Sequence, residues 1–249
     1  MYLRQSVSAR ESELAVDGET TPDLWAAGTL MARLDRSERV KLLGLGFRRD
    51  AGTGTVLLRQ GTSDTHVILL HRGVTKVTST TADGHTALLA IRVAGDMVGE
   101  MAALNGHPRS ATVTTCGPCA FGVIRLHEFQ TFLTSHPVAA LRVAGMVADR
   151  LRWANEFRVE FASYPARVRL ARVIVKIAQS YGYLTPAGLF IGVQLTQPEL
   201  ASLCGAAEIT VQKVLREFRR AGLIDTGYRR ITVLDASGLR LAGQVGGPV

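Results

Sequence analysis

Glu100 and Arg109 stand nine residues apart in the run Gly99-Glu100-Met101-Ala102-Ala103-Leu104-Asn105-Gly106-His107-Pro108-Arg109-Ser110-Ala111-Thr112. A short helix-like stretch and a Gly/Pro turn lie between them, and the β-branched, apolar flanks read as strands. An arginine neutralises a phosphate with a forked pair of donors. Backbone N–H groups at the start of the 99–104 turn can bind the same anion. A carboxylate repels phosphate, so Glu100 suits a sugar hydroxyl instead, and Ser110 adds one small donor. Together these residues suit a phosphate ester that carries a sugar.

A second constellation lies near the C-terminus. Thr196-Gln197-Pro198-Glu199 reads as a capping box, followed by a short helix to Leu203 and a turn at Cys204-Gly205-Ala206. A second helix is expected from about Ala207 to Arg220, with Val211, Val214, Leu215 and Phe218 buried and Ala221-Gly222 as its end. Residues 223–233 then read as a hairpin with a basic tip. Helix, tight turn, helix and hairpin make a winged helix-turn-helix, which reads duplex DNA. Glu208, Gln212 and Arg216 recur every four residues on one face, with Lys213 beside them. Glu208 can accept from a cytosine amine, Gln212 or Lys213 can read purine edges, and Thr210 can bond a phosphate. Arg216, Arg219, Arg229 and Arg230 suit phosphates, which position without specifying.

Other signals carry less. Cys116-Gly117-Pro118-Cys119 matches a thiol–disulfide tetrapeptide, but it falls between two strand-like runs where Gly-Pro makes a turn. A thiol oxidoreductase using Cys116 and Cys119 is the remote alternative. The three cysteines are too few for a four-cysteine iron–sulfur site, and the six histidines are scattered, so no metal is expected.

Elements must hold these groups. The 249 residues allow one large or two modest domains. Residues 165–249 carry 11 Lys/Arg against 5 Asp/Glu, whereas residues 1–164 carry 18 against 16. A basic C-terminal third points to a polyanion partner. No secretory leader and no 18-residue apolar run is seen, so a cytoplasmic protein without membrane contact is expected. One or two short helices fit Pro22 to Leu45. Between 47 and 130, short β-rich runs alternate with turns, Asp83-Gly84 being the strongest hairpin signal. A long helix over 137–161, opened by Pro137, has apolar residues on two sides: Val143, Val147, Leu151, Ala154 and Phe161 on one, Met146, Trp153 and Phe157 on the other. Such a helix suits burial on its own barrel and on a second copy. Ser163-Tyr164-Pro165 breaks it, with Ser163 as the expected cap of a further helix.

The fold class expected is α+β: an N-terminal antiparallel β-barrel of jelly-roll type, a long dimerisation helix and a C-terminal winged helix-turn-helix. The boundaries expected are a flexible 1–22, a barrel over 23–135, the helix over 136–162, the DNA-binding domain over 163–240 and a flexible 241–249.

Gly99-Glu100-Met101-Ala102 followed by Pro108-Arg109-Ser110-Ala111 resembles the phosphate-binding cassette of cyclic-nucleotide-binding domains. With Leu195-Thr196-Gln197-Pro198-Glu199-Leu200-Ala201 and the order of parts, residues 25–235 resemble the catabolite activator and fumarate–nitrate regulator family of bacterial transcription factors. That resemblance implies a homodimer on double-stranded DNA, working with RNA polymerase and gated by a cyclic nucleotide, cyclic AMP ahead of cyclic GMP; the alternative is a family member that binds DNA without a nucleotide or with another effector. It implies a ligand set of Gly99, Glu100, Met101, Ala102, Arg109 and Ser110, joined by Arg150 and Asn155 of the long helix. It implies a DNA set of Thr196, Glu208, Ile209, Thr210, Gln212, Lys213, Arg216, Arg229 and Arg230. Two departures stand out. The recognition helix opens Ala207-Glu208-Ile209-Thr210-Val211, with Lys213 in place of an arginine, so the operator should differ from the catabolite activator's. Ala154 and Asn155 replace the Thr-Ser pair that reaches adenine there, leaving Asn155 as the one base contact.

Overall fold

The computed structural model describes residues 25, 26 and 28–244. The expected 1–22 segment therefore lies outside the described residues.

Two short helices, α1 (Leu30–Arg33) and α2 (Arg36–Leu43), open the described chain, capped by Thr29 and by an Asp35/Glu38 capping box. Strands follow in the order β1 (Phe47–Ala51), β2 (Val56–Leu58), β3 (Val67–Arg72), β4 (Val74–Thr80), β5 (Thr86–Val93) and β6 (Met97–Val98). A short helix α3 (Glu100–Asn105) precedes β7 (Thr112–Thr115) and β8 (Cys119–Ile124). These strands form two antiparallel sheets, β1-β8-β3-β6 and β2-β7-β4-β5. The arrangement is the jelly roll expected, in the form of a sandwich whose two sheets share no strand pairing.

Strand β3 shows how the sequence builds the sandwich. Val67, Ile68, Leu69 and Leu70 are all buried, since alternate residues point to opposite faces. Ile68 and Leu70 join Leu58, Val98, Val113 and Phe121 between the sheets, while Val67 and Leu69 join the helices outside. That outer layer is completed by α4 (Leu126–Ser135), through Phe129 and Phe132, and by α5 (Pro137–Ser163), through Ala139, Val143 and Met146.

Helix α5 sorts its apolar residues differently from the two sides expected. Val143 is buried and Val147 half-buried against the sandwich, but Leu151 is 62% exposed. Leu141, Ala144, Ala148, Leu151, Asn155 and Val159 recur at three- and four-residue spacing along one exposed face. Ser163 ends α5 and does not cap the next helix. Tyr164 is extended, and Pro165 stands at the N-cap of α6 (Ala166–Tyr181) without a side-chain bond, because Pro165 excludes helix from the residue before it.

The C-terminal part adds a hairpin, β9 (Gly182–Thr185) and β10 (Gly188–Ile191), then α7 (Gln197–Cys204), α8 (Glu208–Arg220), β11 (Ile224–Gly227) and β12 (Arg230–Val233). Its sheet order is β11-β12-β10-β9, so the wing hairpin is extended by β10 and β9. A last helix, α9 (Ala236–Ala242), buries Leu239 and Ala242. The tail expected to be flexible from 241 thus begins within a helix, and residues beyond 244 lie outside those described. The core of this half does not stop at its own border. Leu88 and Ile91 of β5 belong to the same buried cluster as Leu200, Leu203, Val211 and Phe218.

Candidate effector and DNA-binding sites

The cassette is set by a tight turn. Gly99 caps α3 at φ +86°, and a Cβ there would lie 2.5 Å from Arg109 Nη1, so glycine both permits the turn and makes room for the arginine. Arg109 is only 4% exposed. Its Nη1 donates to Gly99 O at 2.8 Å and its Nη2 to His66 O at 2.5 Å. Its Nε has no partner among the described residues. Burial lowers the Arg109 pKa, and the charges of Asp64 and Glu100 pull it back up. The guanidinium is thus anchored by two backbone carbonyls with one buried donor left over.

Glu100 is also buried, and its partner comes from the long helix. Arg150 Nη1 donates to Glu100 Oε1 at 2.6 Å, while Nη2 reaches Met97 O at 2.9 Å and Asp96 Oδ1 at 3.3 Å. Sequence reasoning placed Arg150 in the ligand set but missed Asp96, whose other oxygen accepts from Val93 N at 3.1 Å. Asp96 therefore ties the end of β5 to Arg150. Met101 is half exposed, Ala102 is buried, and Ser110 is exposed with only a 3.9 Å contact to the Met101 sulfur. Asn155 lies on the exposed face of α5 with Leu151 and Val159, away from Arg150's inward side.

Of the residues expected to meet DNA, Thr196, Glu208, Gln212, Arg216, Arg229 and Arg230 border one groove. Thr196 accepts from Glu199 N and Glu199 Oε2 accepts from Thr196 N at 2.7 Å, completing the capping box of α7. A groove of about 690 Å³ is bordered by Thr196, Gln197 and Pro198, by Glu208, Gln212, Arg216 and Arg219 of α8, and by Tyr228, Arg229 and Arg230 of the wing. Glu208, Gln212 and Arg216 form a ladder: Gln212 Nε2 donates to Glu208 Oε1, and Arg216 Nε to Gln212 O, both at 3.3 Å. Ile209 and Lys213 are exposed on α8 but do not border the groove, and neither does Thr210. Gln197 and Tyr228, the latter 85% exposed at the wing tip, were not singled out from sequence. A polar residue at a helix start and an aromatic next to two arginines were the available signals. Arg229 holds a φ of +53°, which turns the tip of the wing.

Gly205, in the turn between α7 and α8, packs on the end of α5: a Cβ there would meet the Phe161 ring at 2.5 Å. Arg169 fastens the same junction, donating to Phe161 O at 2.6 Å and to Gly205 O at 3.0 Å.

Cys116, in the turn after β7, and Cys119, the first residue of β8, are free thiols. Burial pushes the Cys116 thiol up to about 11 and raises Cys119 as well. Such thiols stay protonated near neutral pH, the opposite of a nucleophilic cysteine. Neither environment favours the thiolate that the oxidoreductase alternative needs. Among the described residues no group of His, Cys, Asp and Glu side chains could hold a metal ion, and no helix is long and apolar enough to cross a membrane.

Residues 48–136 match the cyclic nucleotide-binding domain family, and residues 168–242 match the Crp-like helix-turn-helix domain family. The "CRP-like cAMP-activated global transcriptional regulator" of Mycobacterium tuberculosis is 26% identical, over 76% of this chain and 85% of the relative. The "Anaerobic regulatory protein" of Bacillus subtilis is 25% identical, over 74% of this chain and 77% of the relative. In fold, the chain is similar to the c-di-GMP responsive global regulator CLP of Xanthomonas campestris, with a TM-score of 0.67, 20% identity and coverage of 80% and 99% of the two chains. A nucleotide-binding sandwich joined through one long helix to a winged helix-turn-helix, matched in both halves, is not the plan of an enzyme: the chain belongs to the catabolite activator and fumarate–nitrate regulator (CRP/FNR) family of DNA-binding transcription regulators.

Proposed function

We propose that this regulator is a cytoplasmic homodimer that reads a palindromic operator, one winged helix-turn-helix per half-site, and recruits RNA polymerase. A cyclic nucleotide in the sandwich, cyclic AMP ahead of cyclic GMP, gates it. The observation that carries this reading is the Glu100–Arg150 bond of 2.6 Å. Glu100 is the cassette's sugar-binding carboxylate, and its partner is rooted in the helix expected to dimerise. A ribose hydroxyl that engages Glu100 therefore acts directly on α5. Arg109, with its unpartnered buried Nε, would hold the phosphate alongside Ser110. Asn155, on the exposed face of α5, would contribute its amide to the base in the partner's site. The ligand must favour one arrangement of the helix pair over another for gating to follow.

Calorimetry with cyclic AMP and with cyclic GMP tests the ligand. Arg109→Ala removes the phosphate's counter-charge and should weaken binding by roughly 2–5 kcal/mol. Wild-type protein that binds neither nucleotide would remove the proposal. A second reading, another effector in the same sandwich, is favoured by Ala154, which has no polar group for adenine. Under it both cyclic nucleotides fail while DNA binding persists.

A further inference from the structure

Among the described residues, a charged contact joins the sandwich to the C-terminal half. Lys76, on β4 of the sandwich, donates to both oxygens of Glu199 on α7, at 2.7 and 2.8 Å. The side chains are 17% and 23% exposed, and 123 residues separate them in sequence. Glu199 is the same carboxylate that closes the capping box on Thr196 N. Thr196, Gln197 and Pro198, the residues it organises, form one border of the DNA-facing groove, which no residue of the sandwich lines. Beneath the ion pair, Leu88 and Ile91 of β5 share a buried cluster with Leu200 and Leu203 of α7.

We infer that Lys76 is a positioning residue for DNA binding: by gripping Glu199 it seats α7 on the β4–β5 hairpin and fixes the orientation in which the DNA-binding domain is presented. The docked arrangement leaves the groove open, so it pre-organises the reading surface. A domain held in place loses less freedom when it binds. The hairpin is also continuous with the effector site. Asp96 joins the end of β5 to Arg150, and Arg150 holds Glu100. That second link rests on the proposed effector reading. The positioning role itself does not.

The test uses full-length protein, with and without cyclic AMP, and a duplex selected from random DNA by the wild type in the condition in which it binds. Lys76→Gln and Glu199→Gln each remove the ion pair. Glutamine at position 199 still serves a capping box, so α7 keeps its cap. Each single variant and the double variant should lose DNA affinity by the same amount, roughly two- to fivefold. Lys76→Arg should restore most of it. Pulsed spin–spin distances between a label at His85 and one at Arg220 should broaden in Lys76→Gln, while the thermal transition stays near that of the wild type. A Lys76→Gln protein with wild-type affinity and an unchanged distance distribution overturns the inference. So does tighter DNA binding, which would make the docked form inhibitory. If Lys76 touched phosphate directly, Glu199→Gln would leave affinity intact or raise it, and that outcome also refutes the positioning role.

Discussion

Glu208 and Arg229 border the same groove, yet DNA offers them different things. A carboxylate near the phosphate backbone is repelled, so Glu208 gains only from a base donor, most plainly a cytosine amine. Its hydrogen bond from Gln212 orients it along the helix face without satisfying it fully. Glu208→Ala should therefore relax selection at one position of each half-site by about 1–3 kcal/mol of discrimination. Arg229→Ala should weaken all sequences alike and lower the salt slope by about one, as a lost phosphate contact does. Selection from random DNA with both variants decides the roles, and an altered motif from Arg229→Ala alone would reverse them. At this scale the sequence was informative about residue type and poor about partners. Glu100, Arg109 and the 208/212/216 face could be read from charge and spacing. That Arg109 is anchored by the carbonyls of Gly99 and His66 could not, because His66 is 43 residues away and contributes only backbone.

Elements were legible where periodicity or capping marked them. α8 buries Val211, Val214, Leu215 and Phe218, the stripe its spacing implied, and α7 carries the capping box its first residues spelled out. Thr196→Ala should cost about 1 kcal/mol of stability through loss of that cap, measurable as a lower denaturation midpoint. Strand β1 could not be seen, because Phe47-Arg48-Arg49-Asp50-Ala51 is an exposed edge whose place is decided by pairing with β8, not by side-chain pattern. The β9–β10 hairpin was hidden for a similar reason, being short and anchored by β12. Helix α5 shows the cost of reading a face from spacing alone. Val147 packs on the sandwich core, so a charge there disturbs folding, whereas Leu151 is open. Each buried leucine is worth about 1.5–3 kcal/mol, and an introduced charge adds a desolvation penalty. Leu151→Glu should give a folded monomer by sedimentation at concentrations where the wild type is a dimer. A dimer that survives the change would place the interface elsewhere.

For the whole molecule, composition signalled a polyanion partner and the order of motifs signalled the architecture, but the mutual seating of the halves was not readable. It depends on a lysine and a glutamate far apart in sequence, on two apolar residues of β5 that any sandwich strand could carry, and on the contacts of Arg169 and Gly205 with the end of α5. Two-fold symmetry predicts half-sites about 34 Å apart, one helical turn, which footprinting on a selected site would measure. The Lys76–Glu199 pair also changes how the regulator should respond to its medium. Added salt displaces protein from DNA by competing for phosphates, and that alone gives a straight line of log affinity against log salt. Here the same ions would also screen a partly exposed pair that holds the reading head in place. Two effects of ionic strength then compound, and the line should curve downward as salt rises. In Glu199→Gln, where only the first effect is left, it should be straight. A change in ionic strength around the regulator, such as osmotic stress brings, would thereby move its occupancy of DNA on its own.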